Sequence, residues 1–237
     1  MQVEPMPPDE ATAPGIRFEL APLPDRDVSF IDRLSEYPRG PDMLGEALRA
    51  IGRASCVALM RLQYRIDVHG AIPDLPRLAL AANHQSHLDA LTVLAALPWR
   101  RRRELAVLAA RDYFFSRAAR GAAAGVFAAA VPFDRTRATE LRSWARRLAA
   151  QPRGTILFFP SGSRRRSEAQ RGMLVVMARS GWPIVPVALR GTAEAWPVGG
   201  RLWRPFRRLS MTVGPPLDST GAVDLAERLD AFWRQHG

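Results

Sequence analysis

The chain has 237 residues, 47% of them hydrophobic, which is enough to bury a core and excludes an intrinsically disordered polymer. Its 34 basic residues, every one an arginine, outnumber 23 acidic ones for a formal charge of +11; that excess favours polyanions such as nucleic acid, anionic lipid headgroups, phosphorylated substrates or acidic carrier proteins. The single cysteine, Cys56, excludes an intramolecular disulfide, and no uncharged apolar run reaches the roughly 18 residues of a spanning helix.

In chain order, the opening MQVEPMPPDE lacks the basic and apolar regions of a signal peptide, so the cytoplasm is the expected compartment. Residues 1–41 hold eight of the 20 prolines and are expected to form an extended, poorly helical arm. Residues 42–65 predict a helix in which Leu44, Leu48, Ile51, Ala58, Leu59 and Leu62 share one face, while Arg49, Arg53 and Arg61 fall elsewhere. Such a helix either packs that face on the core or lies as a basic amphipathic helix at a membrane interface. Residues 121–133 (GAAAGVFAAAVPF) are too short and too alanine-rich to span a bilayer. Apolar runs at 78–82, 105–109, 155–159, 184–189 and 209–213 read as buried strands separated by helical patterns. The fold class expected is α/β, a central and mostly parallel sheet flanked by helices, with residues 42–237 as a single domain.

The residues that carry chemistry lie in LAANHQSHLDALT, residues 80–92, where two of the four histidines and an aspartate fall within six positions. Asn83 and His84 follow the 78–82 strand and 88–97 reads as a helix, so this cluster sits at a strand-to-helix junction, a favoured position for ligand sites in open sheets. Ser86 with Asp89 has the form of a capping box, which accounts for Asp89 without chemistry, and His87 is expected at the first helical position, half exposed. His84 and Asp89 can also form a general base with its orienting carboxylate, provided the histidine is in the turn and the aspartate one turn into the helix. A zinc site on His84, His87 and Asp89 lacks a fourth ligand, because His69, His236 and Cys56 are distant in sequence; no metal is expected.

Asn83-His84-Gln85-Ser86-His87-Leu88-Asp89 resembles the NHxxxxD signature of the PlsC-like glycerolipid (lysophosphatidic acid) acyltransferases. Three further blocks follow in that family's order: VPFDR at 131–135, FFPSGSR at 158–164 and VPVALRG at 185–191. The resemblance implies an O-acyltransferase in which His84 deprotonates an acceptor hydroxyl, with Asp89 orienting it. The hydroxyl then attacks the thioester of acyl-CoA or acyl carrier protein, with no covalent acyl-enzyme and no further cofactor. It assigns Arg135 and Arg164 to the acceptor's phosphate, a role suited to the guanidinium fork. It places Ser161, Gly162 and Ser163 in the substrate loop, and Pro186 in shaping a loop or the acyl path. The third block departs from the family's FPEGTRS, because Ser161 stands where an acid is usual. That substitution puts a standard glycerol-phosphate acceptor in question and raises the alternative of a catalytically silent lipid or acyl-carrier binding protein.

Other classes fit less well. Ser161 and Ser163 lie in no GxSxG elbow, so serine hydrolysis is not expected. The clusters at 100–103 and 204–208 are basic, but no helix-turn-helix, zinc-finger or RNA-binding signature accompanies them, so nucleic acid is not an expected partner. Trp99, Trp203 and Phe206 beside arginines suit a membrane interface. The expected partners are an anionic membrane surface, an acyl-CoA or acyl carrier protein donor and a lyso-lipid acceptor, with the protein peripheral at the inner face of the cell membrane.

Overall fold

The computed structural model describes residues 43–110, 118–133, 138–161, 171–197, 204–217 and 221–237. The proline-rich arm, and Arg135, Gly162, Ser163, Arg164 and Trp203, lie outside them. Seven strands form one sheet: β1 (Tyr64–His69), β2 (Arg77–Ala82), β3 (Leu105–Ala110), β4 (Ala130–Phe133), β5 (Gly154–Phe158), β6 (Ile184–Arg190) and β7 (Arg207–Val213), in the order β1-β7-β6-β2-β5-β3-β4. All neighbouring pairs are parallel except β6 with β7, so β1 and β7 run opposite to the other five. The helices are α1 (Met43–Gln63), α2 (Leu88–Ala96), α3 (Trp99–Arg103), α4 (Ala118–Ala128), α5 (Ala138–Ala149), α6 (Arg171–Ser180), α7 (Thr192–Ala195) and α8 (Ala222–His236). None is long and apolar enough to cross a membrane.

The central strands read as unbroken apolar runs because both faces are covered. Along β2, Leu78, Leu80 and Ala82 join the core beneath α1 and α2, while Ala79 and Ala81 join the opposite core beneath α5, α6 and α8. β5 and β6 divide in the same way: Leu157, Val185, Val187 and Leu189 face one layer, and Ile156, Phe158, Ile184 and Ala188 the other. The five strands expected from sequence are present within two residues at either end. The two edge strands, β1 and β4, were not among them. β1 (YRIDVH) alternates on a half-exposed edge and follows α1 without a break, so the helical pattern conceals it. β4 (AVPF) is four residues long and contains a proline, which an edge strand tolerates.

The largest difference concerns α1. The expected apolar face, Leu44, Leu48, Ile51, Ala58, Leu59 and Leu62, is exposed throughout, and the helix packs by its opposite side, Gly45, Arg49, Gly52, Arg53, Cys56, Val57 and Met60. Small residues permit this approach: a Cβ on Gly52 would collide with Val126 of α4. The buried guanidiniums reach polar partners. Arg49 pairs with Glu46 at 2.8 Å, and Arg53 donates to the carbonyls of Arg102 (3.4 Å) and Arg103 (3.0 Å) at the end of α3.

Candidate active site

Five of the seven strands point their carboxyl ends the same way, and the His84 turn lies at that end of β2, the central strand. Asn83, the first residue past β2, is buried and bridges to β6: its amide donates to Leu189 O at 3.0 Å and accepts from Leu189 N–H at 2.7 Å. The turn is therefore anchored one residue before the histidine.

Asp89 sits in the first turn of α2 with its side chain fully buried, and one carboxylate oxygen, Oδ2, collects three partners. It accepts from the backbone N–H of Gln85 at 2.6 Å and of Ser86 at 2.7 Å, and lies 2.8 Å from His84 Nδ1. Ser86 Oγ accepts from Leu88 N–H at 3.2 Å and donates to Trp196 O at 2.7 Å. The expected capping box is closed on one side only, since Asp89 accepts from Ser86 N–H while Ser86 Oγ accepts from Leu88 N–H and not from Asp89 N–H; the same Asp89 oxygen that reaches back to Ser86 also meets the imidazole. The pairing fixes the tautomer: a proton on Nδ1 points at Asp89, which leaves the Nε2 lone pair for another group.

Phe159, the residue after β5, stacks on the His84 ring with centroids 4.1 Å apart and planes 24° apart. Sequence reasoning passed over this contact, although Phe159 lies within the third motif. It assigned no role to Asn83 and none to Trp196; their contacts depend on which strand ends become neighbours. His87 is half buried at the N-cap of α2, one residue before the first helical position expected for it, and packs its ring against Trp196 with centroids 5.3 Å apart. Ser161 is buried two residues beyond Phe159. Pro186 lies in the interior of β6 rather than in a loop, in register with Ala81, and its carbonyl accepts from Gly214 N–H at 2.9 Å. Its missing N–H interrupts no bond to β7, whose pairing with β6 begins at Val187. Among the described residues no group of three or more His, Cys, Asp or Glu side chains converges as a metal site would require.

A family model described as Acyltransferase matches residues 65–190, just over half of the chain. No curated protein matches it. Among solved structures, the 1-acyl-sn-glycerophosphate (LPA) acyltransferase PlsC from Thermotoga maritima is similar with a TM-score of 0.58 and 17% identity, over 80% of this chain and 76% of that one. That likeness carries the fold: a sheet of mostly parallel strands between layers of helices. The matched segment runs from β1 to the end of β6 and encloses the turn in which His84, Asp89 and Phe159 meet, and by that match the chain belongs to the acyltransferase family.

Proposed function

We propose that the protein transfers a fatty acyl group from a thioester, acyl-CoA or acyl carrier protein, to the hydroxyl of a lysophospholipid-like acceptor. His84 Nε2 takes the proton of the acceptor hydroxyl as its oxygen attacks the thioester carbonyl. The carbon–sulfur bond then breaks, and the thiolate recovers the proton from the imidazolium as free thiol. Asp89 holds the tautomer and stabilises the transient charge. Arg135 and Arg164 bind the acceptor's phosphate, with Gly162 and Ser163, which precede Arg164 in the sequence, contributing to substrate binding. No metal or prosthetic group takes part, since the acyl donor arrives already activated as a thioester.

The observation that carries this reading is the 2.8 Å contact between His84 Nδ1 and a buried carboxylate already fixed by two backbone N–H groups. The test is release of free thiol from acyl-CoA and from acyl carrier protein against a panel of lyso-lipids. His84→Ala should lower the rate by about 10²- to 10⁴-fold, the usual worth of positioned acid–base catalysis, and His87→Ala should retain most of it. Equal losses from the two would overturn the assignment of the base. Tight lipid binding with no thiol release from any acceptor would instead favour the silent binding protein that Ser161 brings to mind.

A further inference from the structure

Among the described residues, five buried side-chain oxygens have no hydrogen-bond partner: Tyr64 Oη, Asp89 Oδ1, Thr92 Oγ1, Thr155 Oγ1 and Thr192 Oγ1. Thr155 stands at the amino end of β5. The other four lie toward the opposite end of the sheet: Asp89 and Thr92 in the first half of α2, Tyr64 at the start of β1 and Thr192 at the start of α7. Both β1 and α7 pack on α2. Buried polar atoms of folded chains are normally paired, and a carboxylate oxygen is the costliest of these five to leave bare.

Asp89 divides its two oxygens unequally. Oδ2 holds the N–H groups of Gln85 and Ser86 and the His84 imidazole, whereas Oδ1 holds no protein donor. Thr92 follows three positions later on α2 and, like Asp89, is fully buried. Residues three apart on a helix are neighbours on one face. A threonine inside a helix commonly turns its hydroxyl back to the carbonyl four residues earlier. Thr92 makes no such bond to Leu88 O, and its hydroxyl makes none to Asp89 either. Two buried oxygens on one helix face, each without a partner and just short of direct contact, are joined by one water through two ordinary hydrogen bonds.

We propose that Thr92 is a positioning residue for the base: its hydroxyl donates to one buried water, which in turn donates to Asp89 Oδ1. Buried waters usually make about three hydrogen bonds, and Tyr64 and Thr192 carry the partnerless hydroxyls available on the elements packed against α2. With a donor on each oxygen, the carboxylate is held against rotation and keeps Oδ2 toward His84 Nδ1. The choice of threonine is then explained. Valine would fill the same space in an apolar layer without burying a hydroxyl, and only the hydroxyl can hold the water. The water site stands independently of the reaction. Its effect on turnover rests on the proposed acyl transfer, in which His84 is the base.

The first test is a crystal structure of the full chain at a resolution that shows ordered solvent. A water within hydrogen-bond distance of both Asp89 Oδ1 and Thr92 Oγ1 is expected; a bare Oδ1 with the Thr92 hydroxyl turned to Leu88 O would overturn the proposal. In single-turnover thiol release, Thr92→Val should lower kcat by about tenfold with KM unchanged, the order expected when a hydrogen bond to a charged group is lost. Thr92→Ser keeps the hydroxyl and should restore most of the rate. The downfield proton signal of the His84 Nδ1–H bond to Asp89, recorded by nuclear magnetic resonance without substrate, should move in Thr92→Val and stay in place in Thr92→Ser. Equal rate losses from the two variants, or a signal unmoved by Thr92→Val, would each count against Thr92. Absence of thiol release by the parent chain, with the water present and the signal still dependent on Thr92, would sink the acyl-transfer reading and leave the water site standing.

Discussion

Asp89 Oδ2 receives two backbone donors before it receives the imidazole, so the carboxylate is positioned by the start of α2 and positions His84 in turn. Asp89→Asn should lower kcat by about 10²- to 10⁴-fold with little change in KM, because the side chain orients the base without touching substrate. Single-turnover thiol release separates the two parameters. Phe159 covers one face of the imidazole, and its loss frees the ring to tilt. Phe159→Ala should reduce kcat by about ten- to a hundredfold, while Phe159→Tyr, which preserves the stacked face, should retain most of it. A uniform loss from both would mean that the contact does not position the base. His84 and Asp89 were legible in the sequence because their partners lie within five positions. Phe159 and Asn83 were not, because the first meets His84 only once β5 lies beside β2, and the second meets Leu189 only once β6 does.

At the scale of the element, α1 shows how a correct periodicity can leave the packing face undecided. The apolar arc is where the sequence placed it, yet a moment carries no information about which neighbour receives it. The buried side was hidden because its glycines and cysteine have little hydrophobic weight and its arginines read as surface charge. In the fold, Arg53 Nη1 donates to the carbonyls that end α3, and Arg61, at the edge of the helix, donates to Ala95 O at 3.0 Å. Burial, reinforced by the charge of nearby Arg61, pulls the Arg102 guanidinium below its ordinary range. Gly52→Leu should therefore destabilise the fold by about 1–3 kcal/mol or more, since the added side chain meets Val126. Ile51→Ser, one residue away on the exposed arc, should stay within about 0.5 kcal/mol. Urea unfolding of the two variants decides the matter, and a reversed ranking would contradict the orientation of the helix.

For the whole molecule, two buried groups, Cys56 on the packed side of α1 and Tyr64 at the start of β1, link stability to alkaline pH. Burial pushes the Cys56 thiol above its ordinary value of 9.0 and the Tyr64 phenol above 10.0. Each holds its proton more firmly folded than unfolded. Their contribution is complete below the unfolded values and is lost as pH rises through the folded ones, so the melting temperature should fall above about pH 9. Cys56→Ala should flatten the first part of that fall. The residue order alone determines the alternation of β and α, the five internal apolar strands and the histidine–aspartate turn, because each is a local pattern of period or spacing. The inverted seat of α1, the two edge strands, the ring over His84 and the hydrogen bond from Ser86 to Trp196 join residues far apart in the chain. Such contacts depend on which faces and strand ends become neighbours when the sheet closes, and no short window of sequence contains both partners.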